Sequence, residues 1–166
     1  MNTAPCDLLS GDLMTHGAHS SLRLPADLAI VSFVRSALAC VLMREDWPAD
    51  GAGRVLLASS EALTNAIEHG SRAGGAVEIE LTLTEERADV RVLDEGRPGA
   101  VVPSVPSVAP PSTSPRGRGL IIISRLADDL EVRGRGAGTE VTASFLRESE
   151  PRPMPVRPSL ASRRAA

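Results

Sequence analysis

In the segment SSEALTNAIEHG, Glu61, Asn65 and His69 recur every four residues. At about 100° per residue, a helix brings them within about 80° of one another. A carboxylate, a carboxamide and an imidazole then form one column. Leu56, Leu63 and Ile67 fall on the opposite side, which assigns that face to packing. A carboxylate can take up a proton and an amide oxygen can hold a hard cation. The plain alternative is a solvated helix face. A second group, Asp94-Glu95-Gly96-Arg97-Pro98-Gly99, follows an alternating run. An Asp at a strand exit can accept a hydrogen bond from an exocyclic amine, and a glycine lets a flat ring approach the backbone. An Asx turn would have the same composition. The third group, Gly117-Arg118-Gly119-Leu120, opens an apolar helical stretch. Glycines there expose backbone N–H groups at the positive end of a helix, where phosphate binds without lysine. An ordinary loop-to-helix joint is the competing explanation. Gly138-Thr139, at the start of a last alternating run, is a weaker signal of the same kind.

The elements that must position these groups are set by hydrophobic period. Ser20–Leu24 alternates and predicts a short strand. Pro25 then opens a helix with Ala26-Asp27 in its first turn, carrying the stripe Leu28, Val31, Val34, Leu38 and Val41 and stopping before Trp47-Pro48. A second helix is expected from just after Gly51-Ala52-Gly53 to His69, with Gly70 as its cap. Val77, Ile79, Leu81 and Leu83 alternate with polar residues, and Ala88–Leu93 returns after a short turn, which predicts a hairpin. From Glu95 to Arg116 six prolines forbid a helix interior or central strand, and so long a loop inside a domain is a lid or a binding loop. A helix from LIIISRLAD, a strand at Leu130–Arg133 and a strand through Val141, Ala143 and Phe145 complete the pattern.

Composition bounds the chemistry. The 166 residues suffice for one domain. Its 18 basic residues are all Arg. A Walker-A lysine, a Schiff-base lysine and the lysine of eukaryotic-type protein kinases are therefore excluded. With no Tyr, two Phe and one Trp, a stacking platform for single-stranded nucleic acid is disfavoured. The net charge of −3 divides into +3 over residues 147–166 and −6 over the rest. An acidic body does not suit duplex DNA. Cys6 and Cys40 form no CxxC pair and are expected to be reduced thiols in a cytoplasmic protein. The most apolar stretch, Leu28 to Met43, carries Arg35 and is too short to span a bilayer. No membrane and no direct nucleic-acid role is expected. Residues 1–19 are expected to be a loose arm, 20–146 the domain with a lid over about 97–116, and 147–166 a disordered Pro- and Arg-rich tail.

The order of these groups is more specific than any one of them. EALTNAIEHG, DEGRPG, GRGLIIISRLADDLEV and GTEVTASF, in that order, resemble the GHKL ATPase superfamily, and within it the RsbW-type anti-sigma factor serine kinases. The likeness runs from about Ser20 to Phe145. It implies an α/β two-layer sandwich of the Bergerat type, with a mixed, largely antiparallel sheet covered on one face by helices. It implies ATP and Mg²⁺ as cofactors. Glu61 matches the general base and Asn65 the magnesium-holding asparagine. Asp94 matches the adenine-reading aspartate and Gly96 the glycine beneath the ring. Gly117, Arg118, Gly119 and Leu120 match the glycine box at the phosphates, and Thr139 the threonine near adenine. His69 fits the branch pattern and is expected to be a packed helix-end residue. Pro98 departs from the superfamily, which has glycine there. The implied function is an anti-sigma factor that phosphorylates an anti-anti-sigma (STAS-domain) partner, with a sigma factor as its other partner and a homodimer as its usual state. The alternative is a nucleotide-binding regulator that sequesters a protein without catalysis.

Overall fold

A computed structural model describes residues 18–98, 101–105 and 118–147. Five strands form one sheet: β1 (Ala18–Pro25), β2 (Ala76–Leu83), β3 (Arg87–Asp94), β4 (Asp129–Arg135) and β5 (Gly138–Leu146), in the order β1-β2-β3-β5-β4. All four pairings are antiparallel, so the sheet is not mixed among the described residues. Helices α1 (Ile30–Arg44), α2 (Ala49–Asn65) and α3 (Gly119–Leu126) pack together on one face.

The alternation in β2 and β3 decides which face that is. Val77, Ile79, Leu81 and Leu83 are buried, as are Ala88, Val90 and Val92 opposite them. They close a core with Leu38, Leu42, Leu63, Ile123 and Phe145. The other face is polar and self-neutralising. Arg91 lies 2.6 Å from Glu80 and 2.8 Å from Glu140, and Arg87 bonds Ser144. Parity has one further effect. Asp94 occupies the next core-facing position after Val92, so the strand delivers a carboxylate to the helix-covered side.

Several boundaries differ from expectation, each for a local reason. Pro25 ends β1 rather than opening a helix, opposite Ala76 at the sheet edge, where a missing N–H is tolerated. Ala26 N–H then bonds Gly75 O, the Asp27 carboxylate accepts from Ala29 N–H, and α1 begins only at Ile30. Leu28 is consequently half exposed and outside the stripe, while Val34, Leu38 and Val41 are buried. Helix α2 begins at Ala49, before the glycines, because Trp47 folds back over Gly51, where a Cβ would lie 2.7 Å from the indole nitrogen. The buried face of α2 is Val55, Ala58, Ser59, Ala62 and Leu63, with Leu56 only half-buried. Small residues carry that contact because α2 sits between α1, α3 and the sheet. After Asn65 the helix widens into a π-turn over Ala66–Gly70, closed by Ser71 N–H to Ala66 O at 2.7 Å. Gly70 ends that turn with no positive φ, so it is not a left-handed cap.

Two arginines tie the layers together. The Arg54 guanidinium donates to Leu126 O at 3.0 Å and Leu146 O at 3.3 Å, lies 3.4 Å from Asp128, and stacks over Phe145. It anchors α2 to the end of α3 and to β5. Arg147 donates to Asp46 O at 2.8 Å and covers the Trp47 ring. Arg147 is therefore held, although it begins the expected tail; the rest of that tail lies outside the described residues, as do residues 1–17 of the expected arm. Among the described residues no cysteine is a free thiol. Cys40 is disulfide-bonded, which overturns the reduced-thiol expectation. Cys6 lies outside the described residues. No described helix is long and apolar enough to cross a membrane.

Candidate nucleotide site

Where the π-turn, the exit of β3, the start of β5 and the first turn of α3 converge there is a cavity of about 270 Å³. That is near the small end of ligand sites, which run upward from roughly 300 Å³. Its inner wall is Asp94, only 4% exposed. The Oδ1 atom accepts hydrogen bonds from Gly96 N–H at 2.8 Å and Thr139 N–H at 3.1 Å. A buried carboxylate is costly unless donors meet it, and these two fix its plane.

Three glycines make that position possible. At Gly70 a Cβ would overlap both carboxylate oxygens of Asp94. At Gly138 it would overlap the Asp94 carbonyl. Gly96 has φ +78°, and a Cβ there would strike the Ala137 carbonyl. The π-turn, the β3 exit and the β5 start therefore pack backbone to carboxylate around one acid. The widened turn also aims Ala66, His69 and Gly70 at the cavity, a use of π geometry that recurs at functional sites.

At the other end, Asn65 and Gly119 meet. A Cβ on Gly119 would lie 2.7 Å from Asn65 Oδ1, so the carboxamide lies against the first turn of α3. Both line the cavity, with Leu120 and Thr139. Of the sequence-derived residues, the structure thus gathers Asn65, Asp94, Gly119, Leu120 and Thr139 around one space, with Gly96 bonded to Asp94 behind it. Glu61 stands one helical turn before Asn65, half-buried, with no hydrogen-bond or ion-pair partner among the described residues; it is not part of the cavity lining. Arg118 caps α3, exposed and also outside the lining. Gly117 lies outside the described residues. His69 is not packed: its side chain is 50% exposed at the cavity wall, 3.9 Å from Glu68. Gly70, expected as a cap, and Arg97, Val101, Pro103 and Ser104, expected only in a lid, all line the space. The sequence signal for Gly70 was a glycine one turn past Asn65, explicable equally well by capping.

Burial holds the Asp94 carboxyl above the ordinary carboxylate range, opposed only in part by the N–H bonds of Thr139 and Gly96. A folded-state value raised above the unfolded one means that ionisation opposes folding. The stabilising contribution is full below the unfolded value and is lost as pH rises through the folded one. Asp94→Asn cannot ionise, so it should gain thermal stability relative to wild type as pH rises from below 3.8 to neutrality. Parallel melting curves across that range test this; a difference that does not change with pH would refute it.

Comparison with known proteins agrees with the fold. Residues 24–145 match the family described as Histidine kinase-like ATPase domain. The serine-protein kinase RsbW of Bacillus subtilis (strain 168) is 28% identical over 134 residues, covering 75% of this chain and 84% of that protein. The anti-sigma F factor of Clostridium beijerinckii is 30% identical over 119 residues, covering 66% of this chain and 81% of that protein. A crystal structure of the RsbU and RsbW domains of Rv1364c from Mycobacterium tuberculosis superposes with a TM-score of 0.59 at 20% identity. It covers 77% of this chain, which spans only 32% of that longer one, and it shows the shared fold. With its acid-floored cavity between an asparagine-bearing helix and a glycine-opened one, this chain belongs to the histidine kinase-like ATPase family, in its RsbW-type branch.

Proposed function

We propose that this protein is a cytoplasmic anti-sigma factor that binds ATP with Mg²⁺ and phosphorylates a serine on an anti-anti-sigma partner of the STAS class. The observation that carries the reading is the buried Asp94 acceptor, held by two backbone donors at the inner end of a glycine-walled cavity. A flat purine fits that wall, since Gly70 and Gly96 remove the side chains that would obstruct it and Asp94 can accept from an exocyclic amine. The RsbW and anti-sigma F relatives support the activity and the partner classes.

The chemistry that Mg-ATP supplies when bound is a phosphoryl group ready for transfer. The rest is the work of this chain. Asp94 reads the base, with Thr139 and Gly96 fixing its carboxylate. Asn65 offers its amide oxygen to the metal, an oxygen ligand of the kind Mg²⁺ takes. Arg118, Gly119 and Leu120 at the start of α3, with Gly117 before them in the sequence, receive the phosphates, since backbone N–H groups and the helix dipole there favour an anion. Glu61, one turn from Asn65 and with no competing partner among the described residues, takes the proton of the attacking serine hydroxyl. Residues 20–146 act as the catalytic unit, with residues 97–116 as its lid, and the protein works as a homodimer.

The test is to incubate the protein with Mg-ATP and a STAS-domain partner and to follow phosphate on the partner serine. Transfer by wild type that disappears in Asp94→Ala is the expected result. ATP binding without transfer would favour the second reading, a nucleotide-gated protein that only sequesters its partner. The position of Glu61 outside the cavity lining is the observation on that side.

A further inference from the structure

The cavity has two electrical ends. Asp94 forms the buried inner end, and Arg97, three residues on, lines the same space while remaining exposed at its mouth. The left-handed turn at Gly96 separates them, so one short segment supplies an acceptor below and a cation above. Arg97 is the only arginine among the described residues that line the cavity. Many other arginines are committed to carboxylates: Arg23 to Glu95, Arg54 to Asp128, Arg87 to Asp89, Arg91 to Glu80 and Glu140, and Arg133 to Glu131. Arg97 has no ion-pair or hydrogen-bond partner among the described residues. A guanidinium is a planar fork of donors matched to phosphate oxygens, and in a chain without lysine arginine is the side chain that offers a permanent charge for that purpose.

We propose that Arg97 binds the phosphate groups of the nucleotide at the cavity mouth and sets the preference of this site for charged nucleotides over the bare nucleoside. The proposal rests on the nucleotide reading above and adds a residue to it. Asp94 and the glycines then determine affinity for the base, while Arg97 determines how much the phosphates add. The two contributions are separable because one residue is buried and rigid, and the other is exposed and reaches the ligand from the loop.

Calorimetry with adenosine, ADP and ATP, each with Mg²⁺, on wild type, Arg97→Gln and Arg97→Lys tests it. Wild type should bind ATP more tightly than adenosine. Arg97→Gln should weaken ATP by about tenfold, the scale of one charge-assisted hydrogen bond, and leave adenosine unchanged. Unchanged adenosine binding also shows that the variant is folded. Arg97→Lys should recover part of the loss, since it keeps the charge without the fork. Equal ATP-to-adenosine ratios in wild type and Arg97→Gln would overturn the proposal while leaving the nucleotide reading intact. Parallel loss of adenosine and ATP would also overturn it, because Arg97 would then act on the whole pocket. A wild type that binds neither ligand would remove the nucleotide reading itself, and this proposal with it.

Discussion

Glu61→Gln is expected to lower phosphoryl transfer to the partner serine by about 10² to 10⁴, the range a positioned general base contributes. ATP affinity should stay at the wild-type level, because Glu61 does not line the cavity and bonds none of the groups that do. The substitution keeps the length and polarity of the side chain on a half-buried stretch of α2, so stability should change little. Single-turnover transfer measured at saturating Mg-ATP separates this from a binding defect. Transfer by the variant at the wild-type rate would remove Glu61 from the mechanism and pass the role of base to another group near Asn65, of which His69 is the obvious one.

Gly70→Ala should have the opposite profile. The added methyl would overlap both oxygens of Asp94, and the carboxylate cannot retreat without losing its bonds to Gly96 and Thr139. Displacing it removes the charge-assisted contact to the base, so adenosine and ATP should both weaken by about tenfold to a hundredfold. Overpacking a tight contact should also cost about 1–3 kcal/mol of stability. Gly53→Ala is the control. Gly53 lies within α2 with nothing near enough to meet a Cβ, so alanine there should stabilise by about 0.8–1.0 kcal/mol and leave binding alone. If Gly70→Ala binds adenosine as wild type does, Asp94 does not read the base. The contrast with Arg97→Gln is diagnostic: one variant loses base and phosphates together, the other the phosphates alone.

How much of this was legible beforehand differs element by element. The β2–β3 hairpin was plain, because Val77 to Leu83 and Ala88 to Val92 bury large side chains strictly at every second position. Strands β4 and β5 were found but shortened, their ends being carried by Gly and Arg. Helix α2 was found with its face displaced. Its contacts are made by Ala58, Ser59 and Ala62, which have little hydrophobic weight, so Leu56 and Ile67 attracted the assignment instead. The π-turn was invisible, since a period of 3.6 extrapolates smoothly through Asn65 to His69 and offers no sign of the extra residue. That is why a regular helix through His69 leaves Gly70 to read as a cap. The convergence of Asn65, Asp94, Gly119 and Thr139 could not be derived from spacing; it came from resemblance, and the sheet order that joins β3 to β5 supplies its physical cause. The parity that points Asp94 inward was available in the alternation of Ala88, Val90 and Val92.

The three glycines around Asp94 have a consequence for how such a protein can change over generations. At positions 70, 96 and 138 every other amino acid collides with backbone or with the acid itself, so no gradual route leads from this floor to a different one. The cavity also carries the exposed Arg97, whose side chain is not walled in by such contacts. Descendants of this chain should therefore keep the same heterocycle for as long as they keep any ligand, while their handling of the charged remainder drifts.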